Sequence, residues 1–130
     1  MIDHTGITVS DLKRSKDFYT TVLASLSYEI RIEFEEAVGY GVVSGHGKSM
    51  DPGGDFWIST GIPQTPRTHI AFSAASREVV DNFYKTALLS GGTDNGEAGI
   101  RSHYHKFYYS AYILDPDGYN IEAVFHSESE

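Results

Sequence analysis

Displaced by 65 positions, the 130-residue chain matches itself. His4 falls on His69, Ile7 on Phe72 and Thr8 on Ser73. Farther along, Phe18-Tyr19 falls on Phe83-Tyr84, Thr21 on Thr86, Leu23 on Leu88 and Ser25 on Ser90. One register holding through a strand-like and then a helix-like stretch marks an internal duplication. Two repeats are too few for a solenoid, so they imply two copies of one supersecondary unit packed together. The reading is a single domain over residues 1–130, with module 1 at about 1–64 and module 2 at about 65–130.

Each half reads as strand, helix, then strands. Residues 2–9 and 68–73 alternate, with Ile7/Val9 and Ile70/Phe72 on one face. The other face carries His4, Gly6 and Thr8, and then His69, Ala71 and Ser73. Its small and polar side chains suit the lining of a cavity better than a core. Ser10 or Asp11 can cap a helix through about 25, with Leu12, Tyr19, Val22, Leu23 and Leu26 inward. Ser76 can cap its counterpart, with Val79, Val80, Phe83, Tyr84, Ala87 and Leu88 inward and Gly91-Gly92 ending it. Further strands are expected at about 28–34, 37–43, 55–60, 105–114 and 119–126, separated by Gly-rich breaks at Ser44–Gly54 and Asp94–Gly99. The turn DPDG (115–118) repeats DPGG (51–54) at offset 64, so one residue was gained or lost between helix and turn.

Ten basic against eighteen acidic residues give a net charge of −8, which argues against a nucleic-acid partner. The absence of cysteine removes disulfides, thiolate metal sites and a Cys nucleophile. Apolar runs are far short of a membrane span, and the polar N-terminus does not read as a signal peptide. A cytoplasmic protein acting on a small molecule is the expectation.

His4 and His69 occupy equivalent positions on equivalent strands. In the last strand Glu122 shares a face with Asn120 and Val124, opposite Ile121, Ala123 and Phe125. A carboxylate within IEAVF is costly to bury unless paired or metal-bound. Two His and one Glu form a facial ligand set for an octahedral metal of the Fe(II) type, or a three-ligand zinc site.

The strings DHTGITVSDLKRSKDFYTTVL, THIAFS and LDPDGYNIEAV resemble the glyoxalase/bleomycin-resistance/extradiol-dioxygenase superfamily, the vicinal oxygen chelate proteins. The likeness spans nearly the whole chain and is most specific at the VSDL and FY opening and the DPDG ending. It implies an α+β fold of two βαβββ modules forming a cupped, barrel-like mixed sheet with helices on the outer face. It also implies one divalent metal (Fe, Mn, Ni or Zn), with His4, His69 and Glu122 as ligands. At the fourth family position the 65-residue offset lands on Trp57 and the turn register on Ile58, neither of which binds metal. Asp55 reaches that position only after a shift of two or three residues. The glyoxalase I branch, with a carboxylate or Gln there, is therefore a poor match. Gly6 and Asn120 stand where the fosfomycin-modifying branch is expected to carry Thr and a basic side chain, so that branch also loses support.

In RSHYHKFYY (101–109), His103 and His105 are candidates for proton transfer near neutral pH, and Tyr108 for donation to an anionic intermediate. Trp57, Phe56, Tyr104, Tyr109 and Asn120 are candidate substrate contacts, with Trp57 and Phe56 suiting a flat, apolar or catechol-like ligand. His46, in SGHGKS, is expected to be solvated; that string lacks the spacing of a phosphate-binding loop. His126 and the SESE tail are also expected to be solvated. The leading expectation is a metal-dependent enzyme, dioxygenase-like or lyase/isomerase-like, whose substrate chelates the metal through neighbouring oxygens. The alternative is a metal-free binding protein of the drug-sequestering type. The resemblance further implies a homodimer, in which some family members build each metal site from both chains.

Overall fold

The computed structural model describes residues 1–127. Module 1 runs β1 (Thr5–Val9), α1 (Leu12–Ala24), β2 (Tyr28–Glu33), β3 (Ala37–Val42) and β4 (Phe56–Thr60). Module 2 repeats the order with β5 (His69–Ser73), α2 (Arg77–Leu89), β6 (Thr93–Ile100), β7 (Tyr108–Leu114) and β8 (Asn120–His126). Each module forms a four-stranded mixed sheet, ordered β1-β4-β3-β2 and β5-β8-β7-β6. Among the described residues, the parallel pairs are β1 with β4 and β5 with β8, each enclosing its module's helix in sequence. This is the expected pair of βαβββ units, but the two sheets are not closed into a barrel. Apart from its first residue, the SESE tail lies outside the described residues.

Local chemistry accounts for the boundaries. Asp11, rather than Ser10, caps α1 by accepting from the Arg14 amide at 3.1 Å. Ser10 instead donates to Asp117 across the module boundary. Ser76 caps α2 through the Val79 amide. Past Leu89 the chain turns at Gly91 with φ +104, a conformation that costs glycine nothing. The repeated turn is also a geometric repeat. Gly54 donates to the Asp51 carbonyl and Gly118 to the Asp115 carbonyl, each at 2.9 Å.

Three expectations change. Thr93–Ile100, read as a glycine-rich break over much of its length, is the edge strand β6, paired irregularly with β7. Residues 105–107 precede β7 in a turn rather than extending it. Leu88, placed in the inward stripe of α2, is exposed.

The core decides where the open faces point. Ile7, Val9, Phe56 and Ile58 of the first sheet join Phe72, Ile121 and Ala123 of the second in one buried cluster with both helices. Tyr19 and Phe72 each pack a ring about 5 Å from that of Phe56. Because strand side chains alternate, the opposite parity on both sheets faces away from this common core. The His4 face and the His69 face are therefore not one shared cup within a chain. A polar seam locks the modules: the Tyr119 hydroxyl donates to the Thr8 carbonyl at 2.6 Å and accepts from the Gln64 amide at 2.8 Å. Buried Asp115 accepts from Tyr19 at 2.5 Å, and burial raises its carboxyl above the usual range, opposed by the Tyr19, Tyr119 and Asp117 hydrogen bonds.

Candidate metal centre

Parallel pairing of β5 with β8 sets Ala71 opposite Glu122 and His69 opposite Asn120. This brings the His69 and Glu122 side chains together on the solvent-facing side of the second sheet. Glu122 is 1% exposed. Its Oε1 accepts from His69 Nε2 at 2.9 Å, and its Oε2 accepts from the Tyr108 hydroxyl at 2.5 Å. Burial, and then the hydrogen bond to Glu122, raises the Tyr108 phenol well above its ordinary value, so it is a donor at neutral pH. Two atoms bound cis to one divalent metal at ordinary bond lengths lie about 3 Å apart, so the His69–Glu122 spacing matches a ligand pair. The buried acidic group, with an imidazole on one oxygen and a phenol holding the other, is a donor set that fits a metal.

The predicted third ligand lies elsewhere. His4, whose side chain is 56% exposed, donates from Nδ1 to Asp3 at 2.7 Å, with an Asp51 oxygen 3.8 Å away. The Asp3 hydrogen bond raises the His4 pKa, with burial opposing it. Among the described residues, Asp3, His4 and Asp51 form the one group of three or more His, Cys, Asp or Glu ligand atoms lying within 4.8 Å of one another. An imidazole tied at Nδ1 to a carboxylate presents Nε2 outward, the orientation that carboxylates impose on metal-binding histidines. His69, by contrast, faces Glu122 with Nε2. The repeat thus carries two separate side-chain clusters, one around His4 and one around His69 and Glu122.

Strand register settles the fourth position. Gly6 pairs with Trp57 as Ala71 pairs with Glu122, so Trp57 is the counterpart of the glutamate, while Ile58 is buried on the helix side. The indole crosses Gly39, where an added Cβ would meet its ring at 2.6 Å, and it stacks on Phe34. With His4, Gly6 and Asp51 it lines a cavity of about 360 Å³. Asp55 points away from this face, toward Tyr28.

The other expected residues divide. The Tyr104 ring lies between those of His103 and Tyr108, tilted against both, with centroids at 4.2 and 4.7 Å. His105 reaches His126, Nε2 to Nδ1, at 2.9 Å, a contact not anticipated from the sequence. The Phe107 amide donates to His105 Nδ1, so His105 Nε2 carries the proton and donates to His126. That pair leaves no free lone pair on His105; its outward donor is His126 Nε2. Asn120 pairs with Asn95 at the start of β8. Two candidates face the wrong way for a contact on the open faces. Phe56 is 1% exposed in the core, and the Tyr109 hydroxyl donates to Asp81 of α2 on the helix side. Strand alternation alone would have assigned both. His46, expected to be solvated, is exposed but pairs with Ser73 at 2.9 Å. Asp3 and Asp51 were missed; the DPGG turn that carries Asp51 was the available signal.

Two βαβββ units with a His–Glu pair on the first and last strands of the second module define a protein of the vicinal oxygen chelate class. A model of the Glyoxalase/Bleomycin resistance protein/Dioxygenase superfamily matches residues 1–123, and the chain belongs to that superfamily. No curated protein sequence matches it. Among solved structures, a glyoxalase/bleomycin resistance protein from Albidiferax ferrireducens T118 is 28% identical, with TM-score 0.76 over 96% of this chain and 98% of that one. A glyoxalase-related enzyme from Fulvimarina pelagi shares the fold at 18% identity and TM-score 0.70, over 97% and 88% of the two chains. So does a fosfomycin resistance protein from Listeria monocytogenes, complexed with Mn(II) and a dihydroxypropylphosphonic acid, at 19% identity, TM-score 0.70, and 98% and 91% coverage.

Proposed function

We propose that this chain is a cytoplasmic, divalent-metal-dependent enzyme acting on a small substrate that binds the metal through two neighbouring oxygens. His69 and Glu122 of one copy and His4 of a second copy would hold the metal. The observation that carries this reading is Glu122, a carboxylate 1% exposed on an otherwise open sheet face and spaced 2.9 Å from an imidazole nitrogen. The same geometry supports a homodimer. The two half-sites face outward from one core, and a twofold pairing of module 1 with module 2 of another copy completes two sites at once.

A divalent metal there would polarise substrate oxygens and stabilise negative charge developing on them. The chain's own residues do the rest. Tyr108 occupies Glu122 Oε2, so Oε1, which faces His69 Nε2, is the oxygen that would ligate. Asp3 fixes the His4 ring. His103, on the 101–107 turn and in tilted contact with Tyr104, is the candidate for proton transfer, and His126 Nε2 is a donor at the end of β8. Trp57 and Phe34 offer a stacked aromatic wall to a flat substrate in place of a fourth ligand. Dioxygenase-like and lyase-like chemistry are separated by oxygen uptake with a catechol panel against turnover of a methylglyoxal–thiol adduct. Metal analysis of protein purified without chelator tests the premise. Fe, Mn, Ni or Zn retained by the native chain and lost in His69→Ala supports it; a metal-free protein in both cases overturns it in favour of a binding protein.

A further inference from the structure

Arg101, just past the end of β6, has no part in the metal reading. Across the second sheet, Gly96 of β6 pairs with Tyr112 of β7, and Tyr112 pairs with Glu122 of β8. Directly opposed residues share a face, so this row lies on the open side that carries His69. The half-buried Arg101 folds back over the row. Its Cζ sits 5.3 Å from the centre of the Tyr112 ring, and the same ring lies 6.1 Å from that of His69. Glycine at two positions makes room for the guanidinium. A Cβ at Gly96 would stand 3.2 Å from Nη2, and one at Gly99 would stand 3.2 Å from Nη1. Among the described residues the guanidinium makes a single hydrogen bond, from Nη2 to the Glu97 carbonyl at 2.6 Å. No carboxylate among them pairs with it, in contrast to Arg14 with Asp117 and Arg31 with Glu29. Arginine carries five N–H donors in a planar fork, so most of these are unused beside the candidate metal centre.

We infer that Arg101 anchors a carboxylate on the substrate, an aromatic ring with two neighbouring oxygens at one end and the carboxylate at the other. The inference rests on the metal reading, which would put the two oxygens beside His69 and Glu122. Spacing supports it: two strand separations, about 10 Å, lie between β6 and β8. A metal–oxygen bond of about 2 Å at one end and guanidinium hydrogen bonds of about 2.8 Å at the other leave room for one benzene ring with its substituents. The guanidinium fork matches a carboxylate edge to edge and stays charged at any working pH. Its contact with the Tyr112 ring holds it on the sheet without using the N–H donors. One guanidinium in a chain of net charge −8 suits a monoanion better than a polyanion.

The test uses the full-length protein loaded with Mn(II), with metal binding measured first and oxygen excluded to prevent turnover. Calorimetric titration compares 3,4-dihydroxybenzoate with its methyl ester, which keeps the ring and both chelating oxygens and loses the charge. The acid is expected to bind about 10–100-fold tighter, the effect of charge-assisted hydrogen bonds to the guanidinium. Arg101→Gln, checked for cooperative unfolding, is expected to bring acid and ester to equal affinity, a change that losing a purely structural arginine would not produce. Equal affinities in the unmodified protein, or a preference for the acid that survives Arg101→Gln, overturn the inference while Mn(II) binding leaves the metal reading standing. The first comparison decides even if the variant does not fold. If Mn(II) does not bind, the metal reading fails by itself, and the same comparison on the metal-free protein decides whether Arg101 takes the carboxylate.

Discussion

Glu122→Gln separates the cost of the candidate site from its use. The carboxylate is 1% exposed and accepts from Tyr108 at 2.5 Å and His69 at 2.9 Å. Glutamine keeps the shape and both contacts. Its amide oxygen takes the Tyr108 proton, and its NH2 donates to His69 in the other tautomer. Each bond to a charged acceptor contributes about 1.5–3 kcal/mol and each neutral one about 0.5–1.5, so bonding loses about 2–3 kcal/mol in total. Removing a buried charge returns several kcal/mol of desolvation, so the two terms nearly cancel. The metal-free variant is expected to unfold in urea within about 1 kcal/mol of the unmodified protein, on the stable side if either. Metal response is expected to part the two sharply. Mn(II) at a hundredfold its Kd adds about 2.7 kcal/mol to the unmodified protein and nothing to the variant. A loss above about 3 kcal/mol without metal would show that Glu122 is a structural anchor, and an unchanged Mn(II) response would show that it is not a ligand.

Tyr108→Phe frees Glu122 Oε2 and is expected to weaken Mn(II) or Zn(II) binding by about 10–100-fold while the fold persists, as measured by competition with a chelating dye. Tyr119→Phe strips the inter-module hydroxyl from Thr8 and Gln64, and urea denaturation is expected to register a loss of about 1–3 kcal/mol. Gly54 adopts φ +96, and a Cβ there would meet the Tyr40 carbonyl oxygen at 2.0 Å. Gly54→Ala is expected to cost at least about 2 kcal/mol by the same measurement. Burial first, and carboxylates or a further charge beside them, hold the Tyr19 and Tyr28 phenols well above their ordinary value, and burial raises Tyr40 to about 12. Raised folded-state values mean that the folded protein binds more protons than the unfolded chain above pH ~10, so stability is intact below that pH and falls above it. Absorbance at the tyrosinate band is expected to show these phenols ionising only with unfolding; simultaneous titration of all nine tyrosines near pH 10 would contradict this.

The duplication carried most of the fold. Strands with strict alternation and helices with capping residues were legible because their local chemistry agrees with their packing. β6 was not, since TDNGEAGI has two glycines, little apolar pattern and an exposed edge position held mainly by backbone pairing to β7. The His69–Glu122 pair was legible from type and position, and register identified Trp57 rather than Ile58 as the glutamate's counterpart. The separation of His4 from that pair was not, because alternation assigns a side chain to a face and says nothing about which way two faces turn once their backs share a core. Asp3 and Asp51 escaped for a related reason: they meet His4 through the strand approach and the turn, outside any periodic pattern. The His105–His126 contact joins a turn to a strand end 21 residues away, a closure that depends on the β7–β8 hairpin.

The shared site is tested most directly by mixing two inactive variants, His4→Ala and Glu122→Gln, each defective in one half-site. The proteins are denatured together in equal amounts, refolded and assayed for bound Mn(II). If the site joins His4 of one copy to His69 and Glu122 of another, random pairing regenerates one intact site in each mixed dimer, and bound metal returns to about a quarter of the unmodified level. Metal binding that stays at the level of the separate variants, with mixed dimers demonstrated by mass, would contradict a site built across two copies.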